Sequence, residues 1–61
     1  MTKQSLERKF KDLVELTNKK EVIKHINMCL VELKSVDEDD DLALYDLEQD
    51  LDYVQSLVNN N

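Results

Sequence analysis

Apolar residues recur along the chain at the alternating three- and four-residue spacing of amphipathic helices. In the first segment, about 3–17, one stripe about 100° wide contains Leu6, Phe10, Leu13 and Val14. In the second, about 19–34, the stripe contains Val22, Ile23, Ile26, Cys29, Leu30 and Leu33. In the third, about 37–58, a heptad seam contains Leu44, Leu47, Leu51, Val54 and Val58. The pattern predicts three α-helices.

Capping residues predict where the second and third helices begin. Asn18 is followed three residues later by Glu21, which is the spacing of a capping box. Ser35 and Glu38 repeat that spacing, and Asp37 is an alternative N-cap. The second helix is therefore expected to start near residue 19 and the third near residue 37.

The junction between the second and third helices leaves one alternative open. The heptad phase of the second helix continues without a slip through Asp37 and Asp40 to Leu44, so a single helix over about 19–58 would keep one seam. That helix would bury two carboxylates in its seam, which is costly without partners. A turn at residues 35–37 is therefore favoured.

Short connections require neighbouring helices to run antiparallel. The predicted fold is all-α, a small three-helix antiparallel bundle formed by residues 1–61 as one domain. The third helix, about 21 residues against about 15 for each of the others, is expected to overhang. Its apolar tail (Val54, Leu57 and Val58) would then need cover, which favours completion of the bundle by homodimerisation or by a docked partner.

Composition supports the helical fold and argues against an enzyme. The 61 residues include no Gly and no Pro, although β-hairpin turns usually need Gly. The chain contains no Gly-rich phosphate loop, nucleophile elbow or HExxH motif. A core this small can hardly enclose a ligand pocket of about 300 Å³. We therefore expect a non-enzymatic protein without a cofactor.

Three features predict an intracellular, cytoplasmic protein without a membrane span. No apolar run approaches the roughly 18 residues that a transmembrane helix needs. The first five residues lack the apolar core of a signal peptide. The single Cys cannot form an intramolecular disulfide, which is typical of a reducing compartment.

Charge is distributed asymmetrically along the chain. Residues 1–34 carry 8 basic and 5 acidic side chains, a net charge of +3, whereas residues 35–61 carry 9 acidic and no basic ones, a net charge of −9. The simplest interpretation is solubility, with Asp39, Asp40 and Asp41 matching the dipole of the third helix. The functional interpretation is an acidic surface that binds a basic protein. The overall charge of −6 and the lack of interleaved aromatic residues disfavour direct nucleic-acid binding.

The acidic run also matches part of a calcium-binding loop. Asp37, Asp39, Asp41 and Glu48 occupy positions 1, 3, 5 and 12 of that template. Position 6 should be Gly for the sharp turn, but here it is Leu42. Because the same residues fit the start of a periodic helix, we predict no metal site there.

His25 and Cys29 are four residues apart on the second helix and can be neighbours. Two such ligands could join a metal site shared across a dimer. Cys29 lies within the apolar stripe, however, where a thiol behaves as a small hydrophobic group. His25 flanks that stripe, so both residues are expected to be structural and no metal is predicted.

The predicted function is that of a protein–protein interaction module: a small regulator, adaptor or assembly subunit that binds another protein or a second copy by helix packing. Met28 and Val31 lie off the core stripe and are further contact candidates. The predicted apolar contact residues are Leu42, Tyr45, Leu51, Tyr53, Val54, Leu57 and Val58. The alternative is an acidic inhibitor or nucleic-acid mimic. Its predicted contact residues are Asp37, Asp39, Asp40, Asp41, Asp46 and Asp50.

Overall fold

Three α-helices with short connections make up the computed structural model, which describes residues 2–60. They are α1 (Lys3–Leu16), α2 (Lys20–Lys34) and α3 (Asp41–Asn59). Each helix packs against both of the others, within overall extents of 34 × 17 × 14 Å. The connections span only residues 17–19 and 35–40, so consecutive helices run antiparallel. The predicted all-α three-helix bundle is confirmed.

Thr17 organises the turn between α1 and α2. Its buried hydroxyl oxygen accepts a hydrogen bond from the backbone N–H of Lys19 at 3.2 Å, and its own N–H donates to the carbonyl of Leu13 at 3.1 Å. Lys19 is the extended residue that precedes α2, and no side chain caps this helix. The capping box predicted for Asn18 and Glu21 is therefore wrong, because the N-cap position falls one residue later.

α3 begins four residues later than predicted. Asp40 is the N-cap, and its carboxylate accepts a hydrogen bond from the backbone N–H of Ala43 at 3.2 Å. Asp37 lies instead in the preceding turn, where its carbonyl accepts from the N–H of Asp40 at 3.0 Å. The predicted start at residue 37 is wrong, and a single helix over about 19–58 is excluded.

Ser35 ends α2 and does not start α3. It is the C-cap of α2, and its backbone N–H donates to the carbonyls of Glu32 and Leu33. The next carbonyl, that of Val36, accepts a hydrogen bond from Lys3 Nζ at 2.8 Å. Since Lys3 is the first residue of α1, this contact joins the start of the chain to the α2–α3 turn.

All three helices contribute to one apolar core, and the predicted stripes supply almost all of it. The buried apolar side chains are Leu6, Phe10, Leu13, Val22, Ile26, Cys29, Leu33, Leu44, Leu47, Leu51, Val54 and Val58. The partly buried side chains packed against them are Val14, Leu30, Val36 and Leu57.

The C-terminal part of α3 is covered by the bundle itself. Val54 is fully buried, Val58 is 9% exposed, and Leu57 packs against the core. α3 has 19 residues and is about 28 Å long. The prediction that this apolar tail needs cover from a second chain is wrong, because α1 and α2 of the same chain provide that cover.

We expect Asp40→Ala to lower the free energy of unfolding by about 1 kcal/mol, because the orphan N–H of Ala43 loses its cap. Asp37→Ala removes the same charge from the same turn, and we expect it to cost less than about 0.5 kcal/mol. Urea unfolding followed by far-UV circular dichroism measures both variants. Equal losses in the two variants would contradict the assignment of Asp40 as the cap.

Candidate interaction surface

Among residues 2–60, six large apolar side chains are exposed, by 57% to 80%. Five of them lie on the sides of α2 and α3 that point away from the core: Met28, Val31, Leu42, Tyr45 and Tyr53. The sixth, Leu16, is the last residue of α1. Single exposed apolar residues are ordinary. Their grouping on two helix faces makes those faces candidate binding surfaces.

The outer face of α2 is a shallow open groove of about 590 Å³. It is lined by Lys20, Ile23, Lys24, Asn27, Met28, Val31 and Glu32. Val31 lies opposite the buried residues of α2 on a helical wheel, and Met28 lies beside it. A groove formed by a single helix cannot enclose a small molecule. It can accept the apolar side of another helix laid along it.

Lys20 and Lys24 line this groove beside its apolar residues. At 100° per residue, Lys20, Lys24 and Lys34 lie within an arc of about 80° that also contains Val31. The two acidic residues of α2, Glu21 and Glu32, lie on the edge of the helix towards α3. The outer face of α2 therefore combines lysines and Val31 along its centre with Ile23 and Met28 towards its edges, and its charge is mainly basic.

The outer face of α3 combines apolar and acidic groups, all of them exposed. We define it by Leu42, Tyr45, Asp46, Gln49, Asp52 and Tyr53. These residues point away from the buried Leu44–Leu47–Leu51 seam. No basic residue follows Lys34 in the chain, so α3 itself contributes no positive charge to this face.

The outer face of α1 differs from both. It carries polar and charged groups such as Gln4, Arg8 and Asp12. Glu7 and Lys11 form an ion pair at 3.0 Å. The hydrogen bond from Lys11, together with its charge, lowers the pKa of Glu7 below its usual value. α1 therefore presents no apolar docking face among its described residues.

The structure divides the predicted apolar contact residues into two groups. Leu42, Tyr45 and Tyr53 are exposed on the outer face of α3. The others belong to the core or its edge: Leu51, Val54 and Val58 are buried, and Leu57 is half-buried. A partner could contact the buried group only if the bundle opened. The seam that suggested an intermolecular contact is occupied by α1 and α2 of the same chain.

The predicted acidic contact residues do not form one patch. Asp39 and Asp41 line a recess of about 450 Å³ together with Lys3 of α1, and Asp40 caps α3. Asp37 is also exposed in this turn. Asp46 lies on the outer face of α3, whereas Asp50 is half-buried and close enough to Cys29 to influence it. The acidic groups thus extend from the α2–α3 turn along α3.

An aromatic contact joins α2 and α3 that the sequence pattern does not predict. The rings of His25 and Tyr53 meet edge to face, with centroids 5.9 Å apart and planes at 62°. His25 Nε2 is buried there without a hydrogen-bond partner. The two residues share a shallow recess of about 340 Å³ with Val22 and Leu57. His25 flanks the α2 stripe, as expected, but the identity of its neighbour depends on which side of α2 the third helix occupies.

Cys29 is a buried thiol in the core. Burial, with smaller contributions from the carboxylates of Asp50 and Glu32, raises its pKa to about 11. The thiolate is the nucleophilic form, so this pKa opposes a reactive role near neutral pH.

The helix in the acidic segment excludes the calcium-loop alternative. Asp41 and Glu48 both lie in α3, so the residues between them cannot fold around an ion. Within residues 2–60, no three His, Cys, Asp or Glu side chains come together as candidate metal ligands. None of the helices in this part of the chain is both long enough and apolar enough to cross a lipid bilayer.

Comparison of the chain with models of protein families, with curated protein sequences and with solved structures finds no match. The functional interpretation therefore rests on the physical properties of the two outer faces.

We expect Cys29 to react with a thiol reagent at pH 8 roughly 100-fold more slowly in the folded protein than in guanidinium, because a raised pKa reduces the thiolate fraction. The folded protein holds this proton more tightly than the unfolded chain. The protonated Cys29 thiol therefore contributes its full stabilisation of the folded state below pH 9, and this stabilisation is lost as the pH rises towards 11. Equal reaction rates in the folded and unfolded states would contradict the burial of this thiol.

Proposed function

We propose that this chain is a non-enzymatic protein–protein interaction module, a small regulator, adaptor or assembly subunit that binds by helix packing. The grouping of five exposed apolar side chains on the outer faces of α2 and α3 supports this proposal. Burial of such apolar surface favours association, because it removes that surface from water. Met and Tyr are also enriched at the centres of protein interfaces.

The shape of the α2 groove supports a helical ligand. Ile23, Asn27 and Val31 repeat every four residues along the groove, and Met28 follows Lys24 at the same interval. A helix binds such a groove with side chains at its own three- and four-residue spacing. α2 has 15 residues, which gives a contact length of about 22 Å.

The proposed contact residues are the exposed members of the two faces. They are Met28 and Val31 on α2, and Leu42, Tyr45 and Tyr53 on α3. We also propose that the protein is located in the reducing cytoplasm, since Cys29 is a free thiol buried in the core and forms no disulfide.

The full chain used as bait in a lysate of its source cell would identify a protein partner, and calorimetry with the purified partner would measure affinity. We expect Met28→Gln/Val31→Gln or Leu42→Gln/Tyr45→Gln to weaken binding by roughly tenfold or more, because each pair removes two central apolar contacts.

Leu16→Gln is the matched control, because Leu16 is equally exposed but lies on α1. We expect it to leave affinity within about twofold of the original value. Circular dichroism would verify that each variant remains helical. Unchanged affinity in both double variants would contradict binding through these faces.

An acidic inhibitor or nucleic-acid mimic is the second candidate function. The exposure of Asp37, Asp39, Asp41 and Asp46 in a half-chain without basic residues favours it. Its affinity for a basic partner should fall steeply between about 50 mM and about 500 mM salt. Apolar docking should depend much less on salt, so the same calorimetry separates the two candidates.

A further inference from the structure

The outer faces of α2 and α3 complement each other in charge. Lys20 and Lys24 are exposed on the outer face of α2, and Lys34 is exposed at its end. Asp46 and Asp52 are exposed on the outer face of α3. Both faces belong to the same chain, so each molecule presents a mainly basic helix face and an acidic one.

The apolar side chains on the two faces also suit helix packing. Val31 is exposed among the lysines of α2, and Met28 is exposed beside them. Leu42, Tyr45 and Tyr53 are spaced by three and eight residues along α3, so they recur on one side of that helix. Each face therefore has apolar groups to bury and, beside them, charges of one predominant sign.

We propose that the outer face of α2 in one copy of the chain binds the outer face of α3 in a second copy. This inference rests on the proposed function and names the partner: another molecule of this protein. The lysines of α2 then face the aspartates of α3, while Met28 and Val31 pack against Leu42 and Tyr45.

Charge favours the α2–α3 pairing over the symmetric α2–α2 and α3–α3 pairings. Packing α2 against a second α2 would bring Lys20 and Lys24 close to the lysines of the other copy. Packing α3 against a second α3 would place Asp46 and Asp52 against aspartates. Like charges across an interface oppose association, whereas opposite charges favour it and set its register.

The contact uses two different surfaces, so it is heterologous. In a triangular bundle the outer faces of two helices point about 120° apart, so one neighbour cannot cover both. Each copy in a pair therefore retains one unoccupied face, and growth continues into a ring or an open chain. A single-helix contact about 22 Å long buries less than the roughly 1,600 Å² of a standard interface, so association is weak.

The test is sedimentation equilibrium of the purified full chain from about 10 µM to about 1 mM, in low and high salt. We expect the average mass to rise with concentration above the 7.2 kDa of one chain, and to fall back towards it in high salt. A chain that remains at 7.2 kDa throughout would overturn the proposal.

Charge reversal identifies the faces. Lys20→Glu/Lys24→Glu makes the α2 face acidic, and Asp46→Lys/Asp52→Lys makes the α3 face basic. Each variant alone should remain monomeric, and an equimolar mixture of the two should recover association, because every α2–α3 contact between unlike variants again joins opposite charges. Failure of the mixture to associate, or association by each variant alone, would overturn the pairing.

Arg8→Glu/Lys9→Glu is the matched control, because it changes the net charge as much as the α2 variant does but at exposed positions on α1. It should associate more like the original chain than like the α2 variant. Loss of association equal to that of the α2 variant would attribute the effect to net charge and overturn the proposal.

The two proposals fail separately. A monomeric chain whose binding to a captured protein depends on Val31 and Met28 would overturn self-association and leave the interaction module intact. Self-association that is unaffected by Met28→Gln/Val31→Gln and by both charge reversals would overturn the assignment of these faces.

Discussion

Phe10, Ile26 and Val54, one from each helix, are fully buried in the shared core. Helices of 14 to 19 residues are only marginally stable alone in water, so each depends on the other two to cover its apolar stripe. The core in turn sets the orientation of every helix. The apolar stripes of α2 and α3 are buried in this core, so the opposite sides of these two helices form the outer faces of the molecule.

One side of α3 packs in the core, and the opposite side carries a proposed binding face. Its inner side contributes five buried residues to the core, and its outer side carries exposed apolar and acidic groups, of which Tyr53 also contacts His25 of α2. The acidic residues at its start also have a structural role, since Asp40 caps the helix and the dipole of α3 favours negative charge there. The negative charge of the second half therefore supports the fold as well as a proposed docking surface.

The heptad seam shows why a regular apolar pattern does not identify its partner. Leu51, Val54 and Val58 have the spacing of a coiled-coil contact, and that spacing predicts helix packing correctly. It is equally compatible with helices of the same chain and with helices of another. The bundle uses these residues internally, so the candidate binding residues are the exposed ones at other phases of the helix, such as Tyr45 and Val31.

The sequence alone determined the helical class, the three segments and nearly all of the core, because apolar periodicity is a local property that survives in any packed arrangement. It did not determine the helix starts. Asp37 and Asp40 have the same capping chemistry, and one cap stabilises a helix by only about 1 kcal/mol, so the sequence pattern does not distinguish them. The structure also holds the α2–α3 turn by a tertiary contact, from Lys3 to Val36, that is absent from the local pattern. Tertiary structure alone decided which side of α2 faces α3. It thereby paired His25 with Tyr53 and left the lysine-bearing side of α2 exposed, because relative helix positions depend on packing between distant segments.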